Sequence, residues 1–255
     1  MPIAVLSALG AEIELLIDSL ESKSRANLAG WSIWDGSLSG REVVVAQAGL
    51  GKVNTAALAA LIWERHHPEL FMFTGVAGGL DPALGVGDVV IGERTIQHDA
   101  GVVTPEGLEV YQAGHIPFYN PTDHLGFAPS ARLLETMRTV AAQTALTSVL
   151  DRMPHVVFGT ILTGDFFLQD PATRDRLHSA LDGQVIEMEG AALAQVATRF
   201  GADHLVIRSL SDLAEGEAVA HFDRFVPEVA ANSARLVLAL IERLQEDEGD
   251  HPVGA

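Results

Sequence analysis

The sequence predicts a single α/β domain, with a mixed, mostly parallel central sheet flanked by helices on both faces. Three observations carry this. Short apolar runs alternate with segments of helical periodicity along most of the chain, as strand–helix units feeding a buried sheet do. The 255 residues, 48% of them apolar, are enough for one sizeable core. No internal repeat or low-complexity linker divides the chain, so residues 1–245 read as one domain. Residues 246–255, acidic and containing Pro and Gly, are expected to form a disordered tail.

Taken in order, Ile3–Ser7 is a short buried strand. Ile13, Leu16, Ile17 and Leu20 then recur at the spacing of one helix face. Trp31–Leu38 and residues 43–48 form a hairpin turning at Ser39-Gly40. Residues 51–65, rich in Ala and Leu, predict a helix, and 70–74 a strand stopping at Gly75. Gly75-Val76-Ala77-Gly78-Gly79-Leu80 reads as a glycine turn that lets backbone approach a ligand or another segment. Residues 88–96 predict a strand. Residues 99–128 look irregular and hold Pro105, Pro117 and Pro121; a loop of that length in a compact domain is functional or covered by a partner. Helices at 129–145, 170–180, 187–200 and 224–244 and strands at Val156–Thr163 and 204–209 complete the pattern. The hairpin adds antiparallel character, which makes the sheet mixed.

A formal net charge of −18 argues against a nucleic-acid partner, whose phosphates are held by Lys and Arg, and against docking on an anionic membrane. No apolar run approaches the roughly 20 residues of a membrane span. The opening residues lack a basic segment, and Glu12 and Glu14 interrupt their apolar run, so no signal peptide is expected. The chain has no cysteine, which leaves no thiol nucleophile and fits the cytoplasm.

Several familiar motifs fail on inspection. Gly49-Leu50-Gly51-Lys52-Val53 lacks the first glycine and the hydroxyl residue of a phosphate loop, and Asn54 stands where a dinucleotide fingerprint needs its third glycine. A glycine-rich strand-to-helix turn remains, able to line a pocket. The ten histidines have no ligand spacing, and neither H-E-x-x-H nor G-x-S-x-G occurs. Acids are more informative. Glu12 follows the first strand, Glu189 opens a helix after Val185-Ile186, and Asp212 ends the run from Leu205. Singly, each is what a helix start or a cap prefers. Together they place three carboxylates at three strand ends, where α/β sheets bind ligands and where acid and base work can be divided. Phe166-Phe167, just past a strand end, offers rings that can stack on a flat base.

With these residues the chain resembles the nucleoside phosphorylase superfamily, and within it most the 5′-methylthioadenosine/S-adenosylhomocysteine nucleosidases. The likeness spans residues 1 to 244. It is carried in order by Glu12, Gly49-Leu50-Gly51-Lys52-Val53, Thr74-Gly75-Val76-Ala77-Gly78-Gly79-Leu80, Val86-Gly87-Asp88-Val89-Val90 and His98-Asp99-Ala100. Thr163-Gly164-Asp165 with Phe167, Glu187-Met188-Glu189 and Arg208-Ser209-Leu210-Ser211-Asp212 complete the set.

The resemblance implies roles. Asp212 would protonate the purine N7 and Glu12 would hold and deprotonate the attacking water. Glu189 would bind the ribose hydroxyls, with Met188 against the sugar. Phe167 would stack on the base and the Leu168 backbone would read its edge. Ser211 and Arg208 would support the aspartate and the glutamate pocket, and Phe222 would line the 5′ side. Pro117 and the rest of the 99–128 loop would reach the 5′ pocket of a neighbouring subunit, which implies a homodimer. No metal or organic cofactor is required. Two departures stand out. The family commonly has a serine at Val76, where the hydroxyl helps place water or phosphate, and the 99–128 segment is longer than usual. Three readings follow: a methylthioadenosine/adenosylhomocysteine nucleosidase; a purine nucleoside phosphorylase or a nucleosidase for another 5′-modified nucleoside such as futalosine; and a nucleoside-binding protein without catalysis.

Overall fold

The computed structural model describes residues 2–214 and 218–249, with side chains described through 214 and from 228 to 247. In chain order the elements are β1 (Ile3–Ser7), α1 (Gly10–Ser19), β2 (Glu21–Leu28), β3 (Trp31–Leu38), β4 (Arg41–Gln47), α2 (Lys52–His66), β5 (Leu70–Gly79), β6 (Val89–Gln97), β7 (Gly101–Thr104), β8 (Gly107–Val110), α3 (Ala131–Gln143), β9 (Val156–Thr163), α4 (Pro171–Leu181), β10 (Gly183–Glu187), α5 (Gly190–Phe200), β11 (Asp203–Asp212) and α6 (Ala218–Gly249).

Nine strands form one sheet in the order β10-β9-β6-β11-β5-β1-β4-β3-β2. β4, β1, β5 and β11 run parallel, as do β6, β9 and β10. The two groups meet antiparallel at β11–β6, and β2–β3–β4 is an antiparallel meander. The sheet curls far enough that β10 also pairs with the end of β5, Val185 beside Gly79 and Ile186 beside Gly78.

The period-2 alternation of strands divides the core between two helical layers. Ile3 and Val5 of β1 join the cluster packed by Ile13 and Leu16 of α1, Met137 of α3 and Leu236, Val237, Leu240 and Ile241 of α6. Ala4 and Leu6 face the other way, with Leu58 and Ile62 of α2 and Leu193 and Ala197 of α5. The expected layering is present. Among the described residues no helix is long and apolar enough to cross a membrane.

The structure corrects several element assignments. Gly75 to Gly79 is not a turn: β5 continues through it, hydrogen-bonded to β11 and β10. The glycines serve close approach within a strand. β2 went unpredicted because its Glu, Lys, Arg and Ser side chains face solvent at the sheet edge, where charge blunts further pairing and no apolar alternation is needed. Residues 99–128 contain a small hairpin, β7–β8. β11 runs on to Asp212 rather than ending at Ser209. The last helix extends past Glu246 to Gly249, so the expected tail starts inside it, and residues 250–255 lie outside the described residues.

Candidate active site

The carboxyl ends of β1, β5 and β11 lie side by side in the sheet, and the curl brings the end of β10 to them. A cavity of about 350 Å³ opens there, lined by apolar side chains including Leu9, Leu50, Ile186, Phe166 and Leu168. Four carboxylates, Glu12, Glu187, Glu189 and Asp212, enter it, with Arg208 as the one cation among the described lining residues. Its volume lies in the lower part of the roughly 300–1,000 Å³ of small-molecule sites.

Glu12 stands in the first turn of α1. Its Oε2 accepts from the N–H of Leu9, the N-cap residue, at 2.7 Å and from Ser7 Oγ at 2.6 Å. The helix-start reading of this acid is therefore correct, and a second function is joined to it: Oε1 turns to β5 and accepts from the Val76 N–H at 3.0 Å. Gly75 permits that approach. Its φ is 154°, and a Cβ there would collide with the Glu12 carboxylate and stand 2.6 Å from Arg208 Nη1. Val76 contributes its backbone to this arrangement, while its side chain packs with Val149, Val229 and Ala230.

Asp212 closes β11. Its Oδ2 accepts from Ser211 Oγ at 2.9 Å and Oδ1 from the Ala214 N–H at 2.8 Å. Oδ1 lies 3.0 Å from where a Cβ on Gly78 would be. Asp212 and Glu12 thus rest against β5 at Gly78 and Gly75, about 10 Å apart at the usual strand rise.

Arg208, fully buried from the middle of β11, organises the other two acids. It is bound to Glu187, reaches Glu189 Oε2 at 3.1 Å and lies over the Phe73 ring. Burial alone lowers its pKa, but Glu187, Glu189 and Glu12 together raise it above its ordinary value. Glu187 also accepts from Thr163 Oγ1 and from the N–H groups of Glu189 (3.1 Å) and Gly190 (2.7 Å). Glu189, the N-cap residue of α5, turns its Oε1 to the Gly51 N–H, 2.8 Å away at the start of α2. Burial pushes its carboxyl up to about 7, against the pull of Arg208 and with the help of Glu187.

Of the residues singled out in the sequence, Glu12, Val76, Phe167, Leu168, Met188, Glu189, Arg208, Ser211 and Asp212 all line this cavity. Phe167 is 46% exposed at its wall. Pro117 is exposed and does not line the cavity of its own chain. The side chain of Phe222 lies outside the described residues. Glu187 was seen only as a motif neighbour of Glu189. Its position after Val185-Ile186 at a strand end was the available signal, but the helix predicted over 187–200 took it in, whereas Glu187 ends β10 and α5 starts only at Gly190. Leu50 lies in the glycine-rich turn read as able to line a pocket, and Ile186 in the run that marks the strand end, whereas Leu9 carried no signal beyond being apolar.

The chain matches the family model described as "Phosphorylase superfamily" over residues 2–242. It is 43% identical over 245 residues to a 5′-methylthioadenosine/S-adenosylhomocysteine nucleosidase of Mycobacterium bovis, covering 94% of this chain and 96% of that protein. Among solved structures it is similar to the 5′-methylthioadenosine/S-adenosylhomocysteine nucleosidase of Neisseria meningitidis in complex with methylthio-immucillin-A. The TM-score is 0.82 at 33% identity, covering 94% of this chain and 98% of that one. A futalosine hydrolase of Helicobacter pylori is also similar, with TM-score 0.81 at 26% identity, covering 95% and 97%.

Proposed function

We propose that this chain, which belongs to the phosphorylase superfamily, hydrolyses the N-glycosidic bond of 5′-methylthioadenosine and S-adenosylhomocysteine, releasing adenine and the 5′-thio-ribose. The observation that carries the reading is the pair Glu12 and Asp212 in one cavity, each held by two or more donors and each lying close against a different glycine of β5. Breaking such a bond passes through a cationic sugar, with a proton needed on the leaving base and a nucleophile on the opposite face.

Asp212 protonates the purine N7, with the Ser211 hydroxyl and the Ala214 N–H fixing its carboxyl. Glu12 holds the attacking water and takes its proton. Glu189 binds the ribose hydroxyls beside Met188, and Phe167 covers the base. The buried acids around Arg208 supply negative potential where the sugar becomes positive. The same field disfavours phosphate as the attacking group. Arg208 is already engaged by Glu187 and Glu189, and position 76 offers an apolar side chain instead of a hydroxyl. Hydrolysis is thus better supported than phosphorolysis.

A homodimer is supported by the exposed apolar side chains of the 99–128 segment, Val103, Leu108, Ile116, Phe118 and Tyr119. The lack of cysteine fits a cytoplasmic enzyme, and a released 5′-thio-ribose fits a place in methionine salvage. The similarity to a futalosine hydrolase supports a second reading in which only the 5′-substituent differs.

Product analysis with 5′-methylthioadenosine, with and without phosphate, tests the proposal. Adenine and free methylthioribose are expected in both buffers, and Asp212→Asn and Glu12→Gln should each lower kcat by about 10² to 10⁴-fold. A sugar 1-phosphate formed only with phosphate would make the enzyme a phosphorylase. Wild-type rates in either variant would remove that residue from its role. Turnover of another 5′-modified nucleoside alone would establish the second reading.

A further inference from the structure

The wall of the cavity formed by Phe166, Phe167 and Leu168 belongs to an irregular stretch between β9 and α4. Phe166 and Phe167 are 42% and 46% exposed, and Phe166 meets the His98 ring edge-on. Just before them, three segments distant in sequence are tied together. Lys52 Nζ, from the first turn of α2, lies 2.7 Å from Asp99 Oδ1 and 3.8 Å from Asp165 Oδ2. Asp99 Oδ2 accepts from the Asp165 N–H at 3.0 Å, and Asp165 Oδ1 accepts from the Lys52 N–H at 2.9 Å.

The start of α2 explains the arrangement. Gly51, the N-cap, has no side chain to satisfy the free N–H groups of the first turn. Two remote acids take that place: Glu189 accepts from the Gly51 N–H and Asp165 from the Lys52 N–H. The positive end of the helix dipole favours both. Glycine is required at 51, where φ is 91° and a Cβ would stand 3.1 Å from Asp165 Oδ1. On the other side, Gly164 passes so close to His98 that a Cβ would strike the ring, whose edge contact with Phe166 spans 4.9 Å between centroids.

We propose that Lys52, Asp99 and Asp165 form an ion latch that positions the 166–168 wall against the start of α2, where it shares the helix end with Glu189. All three are positioning residues: they act on the site through the wall and through the N–H groups of α2. Lys52 is the key member, because one ammonium separates two carboxylates that repel each other without it. Burial by itself pushes the Asp99 carboxyl up, but Lys52 and the Asp165 N–H outweigh it and hold the group below the usual carboxylate range. Asp99 is therefore charged at neutral pH.

Only the kinetic half of the test rests on the nucleosidase reading. Hydrogen exchange in the nucleoside-free protein should show amides 164–168 exchanging about tenfold faster in Lys52→Met than in wild type. The double variant Lys52→Met/Asp165→Asn, which removes the repulsion and keeps an acceptor for the amide at position 52, should return most of the protection. With 5′-methylthioadenosine, Lys52→Met should raise KM about tenfold at little cost in kcat, as loss of uniform binding does, and the double variant should restore it. Arg138→Met, which removes the surface pair with Glu93, serves as the control and should change neither. Unchanged exchange in Lys52→Met, or a double variant no better than the single one, would overturn the latch. Should wild type release no adenine, the proposed function fails and the exchange result still decides the latch.

Discussion

Glu189 shows how one carboxyl is shaped by its surroundings. A group whose pKa rises from 4.5 to about 7 on folding, chiefly through burial, makes the folded state bind more protons than the unfolded one between those values. Stability from this group is fully present below about pH 4.5 and is lost as pH rises through 7, up to a few kcal/mol at roughly 1.4 kcal/mol per pH unit. Tm should therefore fall between pH 5 and 8, and Glu189→Gln should remove that part of the slope. An identical slope in the variant, measured by thermal unfolding across the same buffers, would place the titration elsewhere. The identities of Glu12, Glu189 and Asp212 were legible as acids at strand ends. The partners of Asp212 are its chain neighbours Ser211 and Ala214, but the Gly51 N–H that meets Glu189 and the Val76 N–H that meets Glu12 come from 138 and 64 positions away and were not legible.

Strand β5 is the element on which the site is built. Its glycines looked like a turn because glycine usually punctuates regular structure. Here they thin a buried strand so that Glu12 and Arg208 reach it from one neighbourhood and Asp212 from another. Gly75→Ala should destabilise the protein by about 1–3 kcal/mol, the usual cost of overpacking, and displace Glu12 enough to reduce kcat. Chemical denaturation together with kinetics checks both parts; a variant with wild-type midpoint and rate would show that the close approach is not needed. Helices were easier to read than strands. α2 and α5 have apolar faces against the sheet, whereas β2 is polar at an edge and β10 is only five residues long.

The whole molecule carries a formal charge of −18, so two copies repel and association requires an apolar surface. The exposed Phe118 and Tyr119, 83% and 82% accessible in the single chain, are the side chains best placed to provide it. Light scattering should give twice the chain mass for wild type, more firmly at higher salt as repulsion is screened. If the proposed homodimer forms through this loop, Phe118→Asp/Tyr119→Asp should give the single-chain mass and a higher KM. A variant that stays dimeric would move the interface away from this loop.

The alternation of apolar runs and helical faces determined the α/β class from sequence, because burying one stripe or one face is a local, periodic requirement. The order of chemistry-bearing motifs determined which acids stand at strand ends. The curl that brings β10 onto β5, the sharing of the α2 start by Glu189 and Asp165, and the enclosure of Arg208 by Glu187 and Glu189 were decided only by the tertiary structure. These contacts join segments distant along the chain, and no local periodicity encodes which of several buried acids will meet the Arg208 guanidinium.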